Sequence, residues 1–410
     1  QPHEKEPHPS PPPLSLSRLS FPARSKPSCR SFPEGTGRVP SKEWPYSCAL
    51  EVALEVARVP LRTFARQELM EGLLPFLLQV YTEAFSQPPY RGVDPAAFAD
   101  ILLRHADGPT FLGLVAEEGG QVVGFAYGYT GEPGGWWYDR VRAGLPGETA
   151  QTWLDRPFEL AELAVAPHAQ GRGLGAQLHD QLLALASRRH RRAVLSTLEA
   201  ESRAMHLYRR RGWQVLAPRF RFMPGPTYRI LGRRLAPITP AEAARCQIRP
   251  ATFTDVEAIR AIAWATWTET YRGLMAPKTQ GTILERWYSP EAIEAALGQG
   301  DQVFLVAEEA GAPCGFLQMR LVGPAMAELS RIYILPTYQR AGLGDRLFHQ
   351  GLELLRARHR VRAVELTVEA ANGPAQAFYE KHGFRKLGQA TVSLAPGEPL
   401  ATFRYRLELT

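Results

Sequence analysis

Two glycine-rich segments are the first places where residue types and spacing point to chemistry. "PHAQGRGLGAQL" occupies residues 167–178, and "PTYQRAGLGDRL" occupies residues 336–347. An apolar run precedes each segment and an amphipathic stretch follows it. A strand, a glycine turn and a helix in this order aim backbone N–H groups and the positive end of the helix dipole at one point. This geometry suits a pyrophosphate, although a helix start with glycines for tight packing has the same sequence.

A dinucleotide-binding turn is the competing interpretation of the first segment. "GRGLGA" satisfies the spacing G-x-G-x-x-G/A, which is typical of dinucleotide-binding folds. The second segment reads "AGLGDR" and does not keep that spacing. Both segments share the pattern Gln-x-x-Gly-x-Gly instead. The residues of this pattern are Gln170, Gly173 and Gly175 in the first segment, and Gln339, Gly342 and Gly344 in the second.

The two segments belong to a tandem duplication and lie 169 residues apart. Upstream, "LVAEEGGQVVGFAYG" at 114–128 parallels "LVAEEAGAPCGFLQM" at 305–319. Downstream, "AMHLYRRRGW" at 204–213 parallels "AQAFYEKHGF" at 375–384. The chain therefore contains two copies of one unit.

Hydrophobic periodicity predicts the same elements in both copies. Helical material comes first, then a hairpin, which turns at Gly119-Gly120 in the first copy, then a strand, the glycine turn and a helix. Another strand, a short helix and closing strands complete each unit. The predicted fold class is α/β with a mixed sheet, present twice. The expected divisions are a leader at 1–56, a domain at 57–236, a linker at 237–247 and a domain at 248–410.

Composition restricts the classes of protein that the chain can represent. Lys and Arg number 48 against 41 Asp and Glu, which gives a net charge of +7 and favours anionic partners. The four cysteines have no zinc-ligand spacing, so neither a metal site nor a disulfide framework is indicated, and a reducing cytoplasm is the simplest compartment. The longest apolar run has about half the ~20 residues that span a bilayer, so no membrane segment is expected.

The leader is rich in Pro, Ser and Arg and shows no apolar period, so we expect it to be disordered. Its Ser- and Arg-rich part is also compatible with an organelle transit peptide. Basic runs at 187–193 and 356–363 fit a helix end that offsets its dipole as well as a nucleic-acid patch. No aromatic residues alternate with these arginines, so we expect no nucleic-acid binding.

The shared features resemble those of the GNAT superfamily of acyl-CoA-dependent N-acyltransferases. The resemblance covers both repeats, about 340 residues, and its pieces come in the family order: a strand that ends before a proline, the Gln-x-x-Gly-x-Gly turn, and then "LYRRRGW" or "FYEKHGF". The tandem layout is similar to that of the mycothiol synthase type. The resemblance implies that acetyl-CoA is the co-substrate and that no metal is required.

The resemblance also implies which residues hold the coenzyme A pyrophosphate. Backbone amides of the two turns would cradle it, and Arg172 and Arg340 could add positive charge. Asn372, seven residues before Tyr379, matches a family asparagine that often contacts the cofactor, whereas Glu201 stands seven residues before Tyr208. The implied cofactor-binding residues are Gln170, Gly171, Arg172, Gly173, Leu174, Gly175, Gln339, Arg340, Ala341, Gly342, Leu343, Gly344 and Asn372.

Catalytic residues follow from the same resemblance. Glu159 and Glu328 each precede the glutamine of their turn by eleven residues and match the family's general base. Strict alternation along the strand would place Glu162 on the face opposite to Glu159, and Arg331 stands at the matching position of the second copy. The alternative for the two matched glutamates is a solvated strand end.

Tyrosines supply the implied general acid. Tyr208 and Tyr379 match a family tyrosine whose hydroxyl could protonate the leaving thiolate. The alternative for each is a core aromatic. The first copy also carries an insertion with three tryptophans, Trp136, Trp137 and Trp153, which suggests a lid or acceptor wall, or else a surface loop.

The sequence thus predicts an N-acetyltransferase that moves an acetyl group from acetyl-CoA to a primary amine by direct attack on the thioester. The acceptor is a small-molecule amine or a protein amine. The alternative makes one half, more plausibly the N-terminal one, a non-catalytic acetyl-CoA-binding or scaffold module. The chain would be cytoplasmic, without membrane or nucleic-acid partners, and either a monomer with an internal pseudo-dimer or a homodimer.

Overall fold

The computed structural model describes residues 59–409, except 91, 274, 396 and 397. The leader expected at 1–56 lies outside the described residues. Both repeats lie within one compact unit. The predicted α/β fold class, present twice in tandem, is confirmed.

Each copy folds around a mixed sheet of seven strands. The strand order is β1-β2-β3-β4-β5-β7-β6 in the first sheet and β8-β9-β10-β11-β12-β14-β13 in the second, so the two sheets have the same topology. The first sheet contains β1 (Leu61–Phe64), β2 (Leu112–Glu118), β3 (Gln121–Thr130), β4 (Phe158–Val165), β5 (Arg192–Leu198), β6 (Gln214–Phe220) and β7 (Tyr228–Arg234). The second contains β8 (Gln247–Pro250), β9 (Gln302–Glu309), β10 (Ala312–Gly323), β11 (Met326–Ile334), β12 (Ala363–Glu369), β13 (Arg385–Ala395) and β14 (Glu398–Glu408).

Helices cover both faces of each sheet. The first copy has α1 (Arg66–Glu68), α2 (Leu74–Phe85), α3 (Pro95–Ala106), α4 (Trp136–Gly144), α5 (Gly147–Trp153), α6 (Leu174–Ala186) and α7 (Arg203–Arg210), and α8 (Pro240–Arg245) lies in the predicted linker. The second has α9 (Val256–Thr270), α10 (Pro277–Trp287), α11 (Pro290–Leu297), α12 (Leu343–Arg358) and α13 (Gly373–Lys381). None of the helices in the described part of the chain is both long and apolar enough to cross a membrane.

The helix after each glycine turn packs its apolar stripe on the sheet. Leu178 and Leu182 of α6 are fully buried, as is Leu347 of α12, so the predicted i, i+4 pattern is the core-facing side. Truncating one of these leucines to alanine is expected to cost about 2–5 kcal/mol. The stripe therefore fixes the direction in which each helix start points.

The hairpin between β2 and β3 turns at Gly119 and Gly120, as the sequence predicts. Both glycines have positive φ, which is the conformation that a two-residue hairpin turn requires. The second copy turns at Ala310 and Gly311 with positive φ at both positions. The two hairpins therefore place β3 and β10 identically beside the strands that carry the candidate base.

The insertion of the first copy forms α4 and α5. Trp153 is fully buried and its ring lies against Gly232 of β7, so this tryptophan belongs to the core and not to an acceptor wall. The indole Nε1 of Trp137 donates to Ser196 of β5 over 3.0 Å. Only Trp136 is largely exposed, stacked on Phe222. The insertion thus packs mainly as a cover on β5 and β7.

Candidate active sites

An opening in the middle of each sheet is the main structural feature of the two sites. β4 and β5 run parallel but pair only at Phe158 and Glu159, and β11 pairs with β12 only from Met326 to Glu328. Beyond these positions each strand continues to pair with its outer neighbour. The central strands therefore diverge and expose backbone groups that an extended ligand can reach.

A β-bulge lies on β4 and on β11 at the same place. The pairing of β3 with β4 shifts between Tyr127 and Gly128, which leaves Ala161 as the extra residue. The pairing of β10 with β11 shifts in the same way at Ser330. A bulge disrupts the ladder and redirects the residues on either side of it.

The bulge corrects the face predicted for Glu162. Tyr127 and Tyr129 lie two residues apart on β3 and share one face of the sheet. Glu162 pairs with Tyr127 and Glu159 pairs with Tyr129, so the two glutamates lie on the same face. Strict alternation gave the opposite result because it did not include the extra residue at Ala161.

The two glycine turns have nearly identical backbones. Gly173 and Gly342 both have φ of 85°, and nothing lies within 4 Å of where a Cβ would be on either. Each is the residue before a helix, so the first amides of α6 and α12 face the turn without intrahelical partners. The arrangement fits an anionic phosphate group at both helix starts.

The glutamines of the turns act on the backbone. The Nε2 of Gln170 donates to the carbonyl of Val165 over 2.9 Å, and that of Gln339 donates to the carbonyl of Ile334 over 2.8 Å. Each bond ties the turn to the end of the preceding strand. These side chains hold the turn in shape.

Other residues of the turns have different environments in the two copies. Arg172 forms an ion pair with Glu118, so its charge is already partly compensated. Arg340 has φ of 61°, in the left-handed region where Gly171 of the first copy also lies. Leu174 and Leu343 are buried and anchor the helix starts.

Glu159 is a buried carboxyl in the first site. It is 5 % exposed, and Tyr129 donates a hydrogen bond to it. Burial raises the pKa of Glu159 to about 8, while the bond from Tyr129 opposes that shift. The side chain is therefore mostly protonated at neutral pH.

Glu162 is a second carboxyl in the same site. Burial raises the pKa of Glu162 to about 7, and the amide of Leu163 donates to its Oε1 over 3.1 Å. Among the described residues it has no cationic partner. Its negative charge raises the pKa of four tyrosines, which places it within electrostatic reach of their hydroxyls: Tyr81, Tyr90, Tyr127 and Tyr208.

The second site has a different charge pattern. Glu328 is ion-paired with Arg320, whose Nε lies 2.8 Å from Oε2. Arg331 stands where the first copy has Glu162; its guanidinium lies over the ring of Tyr288 at 4.6 Å and donates to the carbonyl of Trp287. Its Nη1 has no hydrogen-bond partner among the described residues.

Glu369 at the end of β12 is the buried carboxyl of this site. It is 6 % exposed, and its Oε2 has no hydrogen-bond partner within the described residues. Burial raises the pKa of Glu369, and a hydrogen bond from Tyr271 lowers it. Tyr333 and Tyr379 are close enough to Tyr271 to raise its pKa. The carboxyl therefore lies beside the tyrosines of the cleft.

The two candidate acids lie at matching places, Tyr208 buried and Tyr379 partly buried. Tyr208 lies 7 % exposed on α7, and Tyr379 lies on α13. Burial raises the pKa of both hydroxyls, with Glu162 adding to the shift at Tyr208 and Tyr333 at Tyr379. Both side chains therefore stay protonated near neutral pH, as a proton donor must.

A sequence profile of the acetyltransferase (GNAT) family matches residues 74–213 and 256–384, which together make up most of the chain. The chain belongs to the GNAT acetyltransferase family. Each matched stretch contains one glycine turn, one splayed strand pair and one candidate tyrosine. The chain thus contains two GNAT domains.

Named relatives are similar to parts of this GNAT chain. It is 32 % identical over 237 residues to the mycothiol acetyltransferase of Acidothermus cellulolyticus. This match covers 56 % of the chain and 68 % of that enzyme. It is 41 % identical over 123 residues to a GCN5-like protein acetyltransferase of Mycobacterium tuberculosis, which covers 28 % of the chain. That match spans only 59 % of the mycobacterial protein's length.

Among solved structures, the PaiA N-acetyltransferase of Thermoplasma acidophilum in complex with coenzyme A is 21 % identical, with a TM-score of 0.36. It covers 40 % of the chain and 99 % of its own length.

The GNAT motif residues Asn372 and Glu201 have structural partners. Asn372 caps α13, since its Oδ1 accepts from the amide of Ala375 over 3.1 Å. Glu201 pairs with Arg209, which also contacts Glu257 of the second domain at 2.6 Å. Glu201 therefore takes part in an ion-pair network between the domains.

Sequence reasoning about these GNAT sites missed three groups. Glu162 was set aside by alternation, because a bulge leaves no clear trace in one sequence. Glu369 had a signal, since the repeated "LEA" and "VEA" place Glu199 and Glu369 at the same position. The pairing of Arg320 with Glu328 left no signal in the sequence, because it depends on the register between β10 and β11.

Proposed function

We propose that the chain transfers an acetyl group from acetyl-CoA to a primary amine by direct attack of the amine on the thioester. The observation that carries this proposal is the combination, in both halves, of a left-handed glycine turn at a helix start with a strand pair that opens beside it. The proposed domain boundaries remain 57–236 and 248–410, with 237–247 between them and a leader at 1–56.

The turns fit the donor on physical grounds. Open space above Gly173 and Gly342 lets a phosphate approach the backbone, and the helix amides donate to it. Side chains of Arg172 and Arg340 add positive charge at the rim, while Gln170 and Gln339 hold the turn. Acetyl-CoA supplies the activated acetyl group as a thioester. The remaining backbone of the cradle consists of Gly171, Leu174, Gly175, Ala341, Leu343 and Gly344.

In the second domain, Glu328 accepts the proton of the attacking ammonium, through water. Its ion pair with Arg320 holds the carboxylate in place beside the open strand. The hydroxyl of Tyr379 donates a proton to the leaving thiolate. Backbone N–H groups near the bulge at Ser330 lie on the open strand, where they can stabilise the developing oxyanion.

The first domain has the corresponding pair Glu159 and Tyr208. Glu159 carries a proton at neutral pH because its pKa is raised to about 8, so it becomes a base only in alkaline solution. Glu162, with a pKa of about 7, is a second candidate base within reach of Tyr208. We therefore assign the greater activity at neutral pH to the second domain.

A second candidate function is that the first domain is a non-catalytic acetyl-CoA-binding or scaffold module. The protonated Glu159 favours it, and so does the use of Glu201 in a network that contacts Glu257 of the second domain. In this case the first turn still binds acetyl-CoA, but the half contributes no turnover.

The acceptor is a small-molecule or protein amine. Relatives named mycothiol acetyltransferase and spermidine N(1)-acetyltransferase make a small-molecule amine the first choice. We propose a cytoplasmic enzyme without membrane or nucleic-acid partners, and either a monomer with an internal pseudo-dimer or a homodimer. Its proposed reaction needs no metal.

Calorimetric titration of acetyl-CoA tests this proposal. The parent should show two sites, with Gly173→Glu removing one and Gly342→Glu removing the other, because each substitution adds a carboxylate to an anion cradle and strains a left-handed position. Gly134→Glu is the matched control, since Gly134 also has positive φ and open space around it but lies in the insertion.

Turnover with a panel of amines then separates the two candidates. Acetylation that persists in Gly173→Glu and disappears in Gly342→Glu supports a scaffold role for the first domain. Acetylation that falls only in part in each variant supports two active domains. Absence of acetyl-CoA binding in the parent contradicts the proposed function.

A further inference from the structure

A cavity of about 360 Å³ lies between the two domains. The first domain contributes residues of α6, α7 and β7, and the second contributes α9 and the segment 335–337. Its lining includes Pro336 and Thr337, at the start of the second glycine-rich segment, but no residue of 170–175 or 339–344, which form the two turns. Cavities of this volume at domain interfaces are the usual size for a small organic ligand.

The lining of the cavity is strongly basic. It contains five arginines and two carboxylates, Asp180 and Glu269. Asp180 is bound by Arg211, whose Nε and Nη2 lie 2.8 and 2.9 Å from its two oxygens. Glu269 is paired with Arg272. Both acidic side chains of the cavity are therefore already compensated.

A third arginine of the lining, after Arg211 and Arg272, also has acidic partners. Arg234 binds Glu242 and Glu309, which lie outside the lining of the cavity. Within the described part of the chain, two arginines of the lining then remain without an ion-paired acidic partner. These are Arg210 and Arg233.

Arg233 has the more unusual environment of the two. Its guanidinium forms no hydrogen bond or ion pair with any of the residues that the structure describes. Burial and the like charge of Arg211 lower the pKa of Arg233 to about 10, and Asp180 opposes this shift. Arg210 lies over the ring of Trp264 at 4.9 Å, a contact that orients its side chain without neutralising it.

We propose that this cavity binds a small organic phosphate. Two uncompensated guanidiniums match the charge of a phosphate monoester, which is −1.5 to −2 at neutral pH, and arginine binds phosphate oxygens in a bidentate manner. The rest of the lining includes apolar side chains that suit an organic remainder: Leu183, Ala184, Ala265 and Leu335.

The test is titration of phenyl phosphate into the full chain saturated with acetyl-CoA, so that both glycine turns are filled. We expect one saturable site. Arg233→Gln should weaken binding by about tenfold or more, because it removes a charged donor from a partly buried site, and Arg210→Gln should weaken it by about three- to tenfold. Arg188→Gln, at an exposed arginine outside the cavity, is the matched control.

Acetyl-CoA affinity reports on the folding of each variant, and Arg210→Gln provides a second test if Arg233→Gln does not fold. Benzoate, which carries one negative charge, should bind at least tenfold more weakly than phenyl phosphate. Absence of saturable binding in the parent, unchanged binding in both cavity variants, or equal binding of benzoate would each overturn the proposal.

Discussion

The two sites share one backbone arrangement but differ in the charged groups around the candidate base. In the first, Glu159 and Glu162 are both carboxyls with raised pKa, surrounded by tyrosines. In the second, Glu328 is paired with Arg320 and the position of Glu162 is taken by Arg331. The same strand register therefore holds the candidate base in two different electrostatic environments.

The comparison shows that the position of a catalytic carboxyl and its protonation are set by different parts of the fold. Position follows from the bulge and the strand pairing, which the two copies share. The surroundings of the carboxyl differ: burial raises the pKa of Glu159, whereas Glu328 is ion-paired with Arg320 of the adjacent strand. A duplicated site can therefore change its working pH without moving its backbone.

Loss of the proposed acid should have the largest effect. Tyr379→Phe is expected to lower kcat by about 10²- to 10⁴-fold with little change in acetyl-CoA affinity, because only proton donation to the thiolate is removed. Tyr208→Phe is the matched variant in the first domain. Steady-state kinetics measures kcat and calorimetry measures acetyl-CoA affinity for both variants. Unchanged turnover in both would refute the assigned role.

The second largest effect should be a difference between the two domains in how their activity depends on pH, when each domain is measured alone. Activity of the first domain, isolated by Gly342→Glu, should rise about tenfold per pH unit up to about pH 7 to 8, as the glutamates with raised pKa lose their protons. Activity of the second, isolated by Gly173→Glu, should lack this rise. Parallel kcat profiles for the two variants would remove the distinction between the sites.

Folding stability provides a smaller and independent test. A carboxyl whose pKa is raised from 4.5 to about 8 on folding destabilises the protein as pH rises through that window, because the native state binds the proton more tightly than the unfolded state. Glu159→Gln should therefore raise the free energy of unfolding at pH 8 by on the order of 1–3 kcal/mol. The melting temperature should rise with it at pH 8, and the gain should shrink towards pH 5. Glu328→Gln is the comparison variant; an equal gain there would contradict this account.

The smallest effect concerns the anchoring of the turns. Tyr338, just before the second turn, donates to Glu309 over 2.6 Å and contacts Gln214 at 3.0 Å. The matching residue of the first copy is Ala169, which has no such bond. Tyr338→Phe should weaken acetyl-CoA binding about fivefold at the second site only, since one buried hydrogen bond of about 1 kcal/mol is lost. Titration of the two sites shows whether the loss is confined to one.

Much of the fold was predictable because duplication gave two independent readings of each element. The hairpin at Gly119-Gly120, the strand before each turn and the helix with Leu178 and Leu182 were predicted and are confirmed. The role of Trp153 was not, because its burial against Gly232 depends on contacts distant in sequence.

The candidate sites were predictable only in part. Glycine and glutamine spacing indicated the two turns, since that geometry is local. The side of the sheet that Glu162 faces depends on one extra residue at Ala161. The raised pKa of Glu159 depends on its burial, which contacts distant in sequence produce. The assigned catalytic and cofactor-binding roles stay predictions for the experiments above.

The contacts of Gln214 with the second domain have a further consequence. Its Nε2 donates to the carbonyls of Ala312 and Pro313 at the start of β10. The edge strand β6 of the first sheet therefore contacts the β9–β10 hairpin of the second. Since both partners belong to one polypeptide, this contact is unimolecular. Dilution therefore cannot separate the halves, and specific activity should be independent of enzyme concentration as far as this interface is concerned.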